Sequence, residues 1–228
     1  VGGHKSKIQL NVENMKVLRI AIIAALVLTC TDYAVAQRFE GEIGFTKTIG
    51  PVTADYVYYV KEDMIRVEEL DETGTIQGIM IVNTAENSVV ALSPERKMYI
   101  DVPNRRKVKE SDIEVNQTGN KQTINGYECF EWVVDSNEDG RKVSYWVAQD
   151  DFDFFIPMLK TLNRKDKMAL YYINLPDANG SFPMRGREVK SDGVELTKLE
   201  VTKIEKSALQ ASLFEIPKGY SKFERESN

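Results

Sequence analysis

Histidine is almost missing from this sequence. The only one in 228 residues is His4, so the chain from residue 37 onward has none. That removes the usual general base for a serine or cysteine nucleophile and the commonest zinc ligand. Cysteine is equally scarce, with Cys30 and Cys129 alone. Two cysteines make no disulfide framework, and Cys129 by itself cannot form an intramolecular bridge. No apolar run approaches the about 20 residues that a membrane-spanning helix needs. The longest, Ile20 to Leu28, follows Met15, Lys16 and Arg19 and precedes Ala34-Val35-Ala36. This is the order of an export signal, with a basic start, an apolar centre and a small-x-small cleavage site. Residues 1–14 then read as an over-extended start, residues 15–36 as the signal peptide, and residues 37–228 as one mature domain in the periplasm or otherwise outside the cytoplasm. Val27-Leu28-Thr29-Cys30 also resembles a lipobox, which gives an alternative expectation of a lipoprotein anchored at Cys30.

Removing residues 1–36 takes away four basic and two acidic side chains, leaving 26 basic against 33 acidic, a net charge of −7. Such a surface repels nucleic acid, whose binding rests on neutralising phosphates. The basic cluster Arg105-Arg106-Lys107 with Lys109 is followed by Glu110 and Asp112 and reads as a solvated loop.

What the sequence does contain is a cadence of short β-rich runs between polar turns. Phe39 to Lys47 alternates apolar with acidic residues, as a half-buried strand does. Val52 to Val60, Met64 to Leu70, Ile76 to Val82, Ser88 to Leu92 and Met98 to Val102 follow. A second block has strands at Tyr127 to Asp135, Lys142 to Ala148, Met168 to Leu175, Phe182 to Lys190 and Val194 to Glu205. The short connections predict antiparallel hairpins. In the last strand Ile204 is out of phase with Leu199 and Val201, as a β-bulge allows. Ile79-Met80-Ile81-Val82 and Val89-Val90-Ala91-Leu92 are apolar on both faces. Those strands are therefore covered on both sides or have one face lining a dry cavity. Helical spacing is confined to Phe152, Phe155, Ile156, Leu159 and Leu162, with Pro157 limiting where that helix starts. Ser207 is a candidate cap for a short turn through Leu213.

Asp135-x-Asn137-x-Asp139-Gly140 matches half of a calcium loop, but the twelfth position is Trp146 where a bidentate Glu is needed. A polar hairpin turn is the simpler reading, and no metal or other cofactor is expected. Asp150, Asp151 and Asp153 precede the helix, where acidic groups oppose the positive end of its dipole. A carboxylate hydrolase needs a second carboxylate opposite them, and no catalytic residue is assigned. Cys129, between acidic neighbours, reads as a small buried hydrophobe. Phe152, Phe155, Ile156, Met158, Leu159 and Leu162 are the candidate apolar lining of a ligand cavity, with Phe154 in the same stretch. The alternative, that they only complete the core, stays open.

Thr123-Ile124-Asn125-Gly126-Tyr127-Glu128-Cys129, Tyr145-Trp146-Val147-Ala148, Phe182-Pro183-Met184-Arg185 and Leu213-Phe214-Glu215-Ile216-Pro217-Lys218-Gly219-Tyr220 recur, in this order, in a family of exported bacterial proteins classed as a domain of unknown function. The chain from about Phe39 to Phe223 resembles that family. Its architecture is similar to that of the periplasmic lipoprotein carrier LolA and its mycobacterial relative LppX, and Phe214-x-Ile216-Pro217-x-Gly219 resembles the carrier's closing strand and turn. The resemblance implies a mainly β fold, a curved antiparallel half-barrel with one or two short helices on its concave side. It also implies a non-catalytic binding protein for a lipid, acyl chain or other hydrophobic ligand, with an envelope protein partner. The carriers use an arginine inside the cavity, for which Arg66 and Arg185 are the candidates by strand position. The competing expectation is a structural or protein-interaction module with a self-filled core.

Overall fold

The computed structural model describes residues 38–104 and 112–224. The expected export signal, Cys30 and the basic cluster Arg105 to Lys109 lie outside them. The described chain folds around one sheet of twelve strands. A first meander runs β1 (Gly41–Ile49), β2 (Val52–Lys61), β3 (Met64–Leu70), β4 (Ile76–Asn83), β5 (Ser88–Ser93) and β6 (Met98–Asp101). The chain then moves to the far edge and returns through β7 (Glu114–Ile124), β8 (Tyr127–Ser136), β9 (Arg141–Gln149), β10 (Ser181–Lys190) and β11 (Glu195–Lys206). β11 pairs with β1 at the centre, and a short β12 (Ser221–Lys222) adds to β6. Every pair is antiparallel except β12 with β6. The sheet is curved and stays open, with β12 and β7 at its edges. This is the mainly β, open half-barrel expected.

Local chemistry sets the turns. Asn125 and Gly126 join β7 to β8 with φ of 50° and 84°, the conformation that Asn-Gly tolerates in a two-residue hairpin turn. The bulge expected in β11 is real: Gly44 pairs with Lys203 but Phe45 with Val201. The extra residue, Thr202, brings Ile204 back to the face of Val201, opposite Ile43 and Phe45.

Two helices lie between β9 and β10, α1 (Phe155–Leu162) and α2 (Lys167–Tyr172). In α1, Pro157 falls in the first turn, where its missing N–H costs no intrahelical bond, and Asn163 closes the helix with φ 45°. α1 starts after the acidic triplet, so Asp150, Asp151 and Asp153 do not sit in its first turn. Asp150 and Asp151 instead pair with Lys206, the latter at 3.1 Å.

α2 corrects the strand expected over Met168 to Leu175. The Asp166 side chain accepts from the Met168 N–H at the helix start, and the buried residues Met168, Tyr171, Tyr172 and Leu175 recur at helical intervals. A short apolar run with Tyr171-Tyr172-Ile173 at its centre has strand propensity, and burial of this stripe overrides it. Ser207 likewise caps nothing: the turn it was assigned is a 3-10 segment, Ala211–Phe214, preceded by Gln210. β7 was not expected at all. It is an edge strand with a polar, exposed sequence, so no apolar alternation marks it.

The sheet has two differently covered faces. The concave face carries Val60, Ile65, Val82 and Val89 in one cross-strand row, all buried under the helices. The convex face of the β3–β6 half carries Ile79, Ile81 and Leu92. These form a second small core with Met64, Tyr99 and Tyr220, over which the C-terminal segment folds. The runs that are apolar on both faces are thus explained twice over: one face looks to the helices, the other to the chain end. The convex face of the other half is wet and carries cross-strand ion pairs such as Arg187–Glu195 and Lys203–Glu42.

Candidate functional site

Between the concave face and the helices is a cavity of about 980 Å³, near the upper end of the range for small-molecule sites. Its floor begins on β1 and β2, where Phe45 stacks on Tyr56 at 5.2 Å between ring centroids and meets Tyr58 edge-on at 4.7 Å. These residues share a face because Phe45 pairs directly with Tyr56, and Tyr58 lies two residues along the same strand. The apolar floor continues through Val67, Met80, Val89 and Ala91 on the next three strands. Burial pushes the Tyr58 and Tyr145 phenols well above their usual range, so at neutral pH both are hydroxyls and remain donors.

The roof comes from α1 and α2. Phe155, Leu159 and Leu162 line the cavity. Phe152, Ile156 and Met158 do not; they are buried in the core instead. Phe152 sits among Phe39, Tyr127 and Phe182 with ring centroids about 5.4 to 5.5 Å away. The six residues singled out from the sequence therefore divide evenly between lining and core. Phe155 serves both, since it packs edge-on against Phe182 at 4.5 Å and Tyr172 at 5.2 Å.

α2 is held down by polar contacts at its start. Tyr145 Oη donates to the Met168 carbonyl at 2.7 Å. Asp166 accepts from Lys47, and Asp139 accepts from Lys167 and from Tyr171 Oη. A Cβ on Gly186 would stand 2.2 Å from Met168 Cε, so the bare backbone there lets Met168 seat α2 on the sheet. Asp139 belongs to the calcium-like Asp-x-Asn-x-Asp-Gly sequence. Its carboxylate is taken up by Lys167, Tyr171 and Ser136, which hold it below the usual carboxylate range. The β8–β9 hairpin turn thereby ties to α2. Burial and the Asp139 contact push Tyr171 up to about 12. Among the described residues no group of three His, Cys, Asp or Glu side chains is placed to hold a metal.

The cavity also has a polar end. Lys47, Arg141, Arg164, Lys165 and Lys167 line it together with Asp166 and Glu188. Glu188 is 3% exposed and accepts from Arg141 and, at 2.9 Å, from Thr197 Oγ1. This set leaves no signal in the sequence, because its members come from β1, β9, β10, β11 and the segment from Arg164 to Lys167. Only Arg164-Lys165-Asp166-Lys167 is contiguous, and it reads as an ordinary polar loop.

Neither arginine carried over from the carriers is in the cavity. Arg66 lies on the opposite face, paired with Glu68 at 2.7 Å and donating to the Leu213 carbonyl at 3.2 Å beneath the C-terminal segment. Arg185 pairs with Glu200 at 3.2 Å, and it is not among the lining residues. Cys129 is fully buried outside the lining, and burial raises its thiol pKa.

A profile for a domain of unknown function, DUF4412, matches residues 39–220, four-fifths of the chain. The chain belongs to the DUF4412 family. Its match covers every strand from β1 to β11, both helices and the 3-10 turn. Among curated proteins none matches this sequence. Solved structures of similar outline have low identity. An uncharacterised conserved protein from Thermus thermophilus is 12% identical over 89% of this chain and 99% of its own, with a TM-score of 0.48. The complex of MucA and MucB from Pseudomonas aeruginosa contains a chain 10% identical over 76% of this one and 54% of its own, with a TM-score of 0.45. A putative outer membrane lipoprotein-sorting protein domain from Vibrio parahaemolyticus is 10% identical over 76% and 87%, with a TM-score of 0.32. At these scores the likenesses carry no functional argument for this DUF4412 member. Among the described residues no helix is long and apolar enough to cross a membrane.

Proposed function

We propose that this DUF4412 protein is an exported, non-catalytic binding protein of the cell envelope that holds a lipid, acyl chain or other apolar molecule between its sheet and its helices. The observation that supports this reading is the cavity of about 980 Å³ floored by Phe45, Tyr56, Tyr58 and Met80 and roofed by Leu159 and Leu162. Moving an acyl chain from water onto such a surface yields about 0.8 kcal/mol per buried methylene. Ten methylenes in contact thus contribute about 8 kcal/mol, set against the entropy lost on association. Phe155, Leu159 and Leu162 are the α1 residues assigned to the ligand. Phe152, Ile156 and Met158 are assigned to the core that holds α1 in place. Export is inferred from the segment Met15 to Ala36.

The test is Leu162→Asp, at a half-buried position in the cavity lining. A carboxylate there faces the bound chain, and affinity for a fluorescent fatty acid is expected to fall by at least about tenfold, since an ion cannot enter an apolar contact uncompensated. Circular dichroism identical to the parent protein establishes the fold. Unchanged affinity in the folded variant removes this helix from the site.

A further inference from the structure

The cavity is bipolar, and its two ends follow from strand register. Along β1 the inward residues are Phe45, Lys47 and Ile49. Phe45 is set among Tyr56 and Tyr58. Lys47 is paired across to Leu199, and Ile49 to Thr197, whose own partner on β10 is Glu188. The floor thus changes from aromatic to polar within two steps of one strand. Above the polar end passes the α1–α2 connection with Arg164 and Lys165, and Lys167 opens α2. Arg164 reaches inward to the Met80 thioether and lies close enough to Tyr56 and Tyr58 to act on both phenols. A guanidinium therefore stands at the boundary between the apolar floor and the polar end.

The charge count at this end runs against that of the whole protein. Among the described residues five cations line the cavity, Lys47, Arg141, Arg164, Lys165 and Lys167, against two carboxylates, in a chain of formal net charge −5. The two carboxylates are already engaged. Asp166 takes the Met168 N–H on one oxygen and Lys47 on the other. Glu188 takes Arg141 on one and Thr197 on the other. Counting Asp139 and Glu69, which lie just outside the lining beside Lys167 and Tyr56, the described cations still outnumber the carboxylates, five to four. A ligand with a cationic head would meet this excess as repulsion. A wholly neutral one would gain nothing from it. An anionic head gains charge-assisted hydrogen bonds, which are about twice as strong as neutral ones.

We propose that the ligand is an amphiphile with a negatively charged head, a carboxylate or a phosphate monoester, its chain lying over Phe45, Tyr58 and Met80 and its head beneath Arg164 and Lys165. This rests on the ligand-binding reading above and names the chemical class of that ligand.

The experiment compares four probes of one chain length, dodecanoate, dodecyl phosphate, dodecanol and dodecyltrimethylammonium, each below its micelle concentration. They are titrated by calorimetry into the delipidated full chain at low and high salt. Both anionic probes are expected to bind at least about tenfold more tightly than dodecanol, the scale of a hydrogen bond to a charged group. The advantage should shrink as salt rises, and the cationic probe should bind weakest. Whichever anion binds more tightly distinguishes a free fatty acid from a lipid phosphate. The double variant Arg164→Gln, Lys165→Gln, both at exposed positions, should bring the two anions to within about threefold of dodecanol, and an anionic preference kept in the folded variant overturns the proposal. Equal affinity for all four probes overturns the anionic head while leaving the apolar-ligand reading intact. A failure of all four to bind overturns both.

Discussion

Ala91 offers a substitution whose sign depends on whether the cavity is there. It lies on β5, paired with Met80 and Ile100, and it is half-buried in the cavity lining. Replacing it with Phe adds a ring to a strand position, which suits β-propensity, and directs that ring into open space. Full burial of such a side chain is worth about 1.5–3 kcal/mol, and at a half-buried site about 1 kcal/mol remains. For a chain of this length that raises Tm by about 2–4 °C. The same ring in a filled core would overpack it, costing about 1–3 kcal/mol. Urea and thermal denaturation of the delipidated protein therefore give results of opposite sign. The cavity account expects Ala91→Phe to be more stable and, because the ring occupies ligand space, weaker in fatty-acid binding. A variant less stable by about 1 kcal/mol or more would refute the reasoning, because it would mean that the space is filled in solution.

Two further predictions concern what holds the fold around the cavity. Arg66→Ala leaves Glu68, 6% exposed, as a buried charge without its partner; the cost is about 3–5 kcal/mol in urea denaturation. The double variant Arg66→Met, Glu68→Leu should lose much less, and an equal loss in both would contradict the ion-pair explanation. Asp139 has a folded pKa held below its unfolded value, first by Lys167 and then by Tyr171. Its contribution is thus fully present above the unfolded pKa and is lost as pH falls below about 4 and through the lowered folded value. Asp139→Asn should be less stable at neutral pH and show a flatter acid limb in a pH series of denaturation midpoints. An acid limb unchanged in slope would place the coupling elsewhere.

The strands were legible where one face is buried and the other wet. Tyr and Val in β2, the apolar pairs of β4 and β5, and the phase break at Ile204 all left period-two signals or a definite departure from one. β7 left none, because an edge strand with both faces exposed has no reason to alternate. α2 was misread because Met168-Ala169-Leu170-Tyr171-Tyr172 suits either element in isolation. What decides it is Asp166 at the cap and Gly186 on the sheet below, the latter some twenty residues away in sequence. The candidate site was legible only by halves. Helical spacing found Phe155, Leu159 and Leu162, but the same spacing also selected Phe152, Ile156 and Met158, since one short amphipathic helix serves core and cavity alike. The floor residues Phe45, Tyr56 and Tyr58 were visible only as strand residues, and the polar end is assembled from five separate segments by register. Arg66 was misplaced for a related reason. It lies on β3 as a strand residue, but strand parity turns it to the face covered by the C-terminal segment.

The central claim is that the space between sheet and helices holds an apolar ligand. The most direct measurement is native mass spectrometry, followed by lipid extraction, on protein purified from the envelope of its own host. A co-purifying lipid or acylated molecule at near-stoichiometric occupancy, released when Leu162 is replaced by Asp, is the predicted result. An empty protein that also takes up no fluorescent fatty acid would contradict the claim.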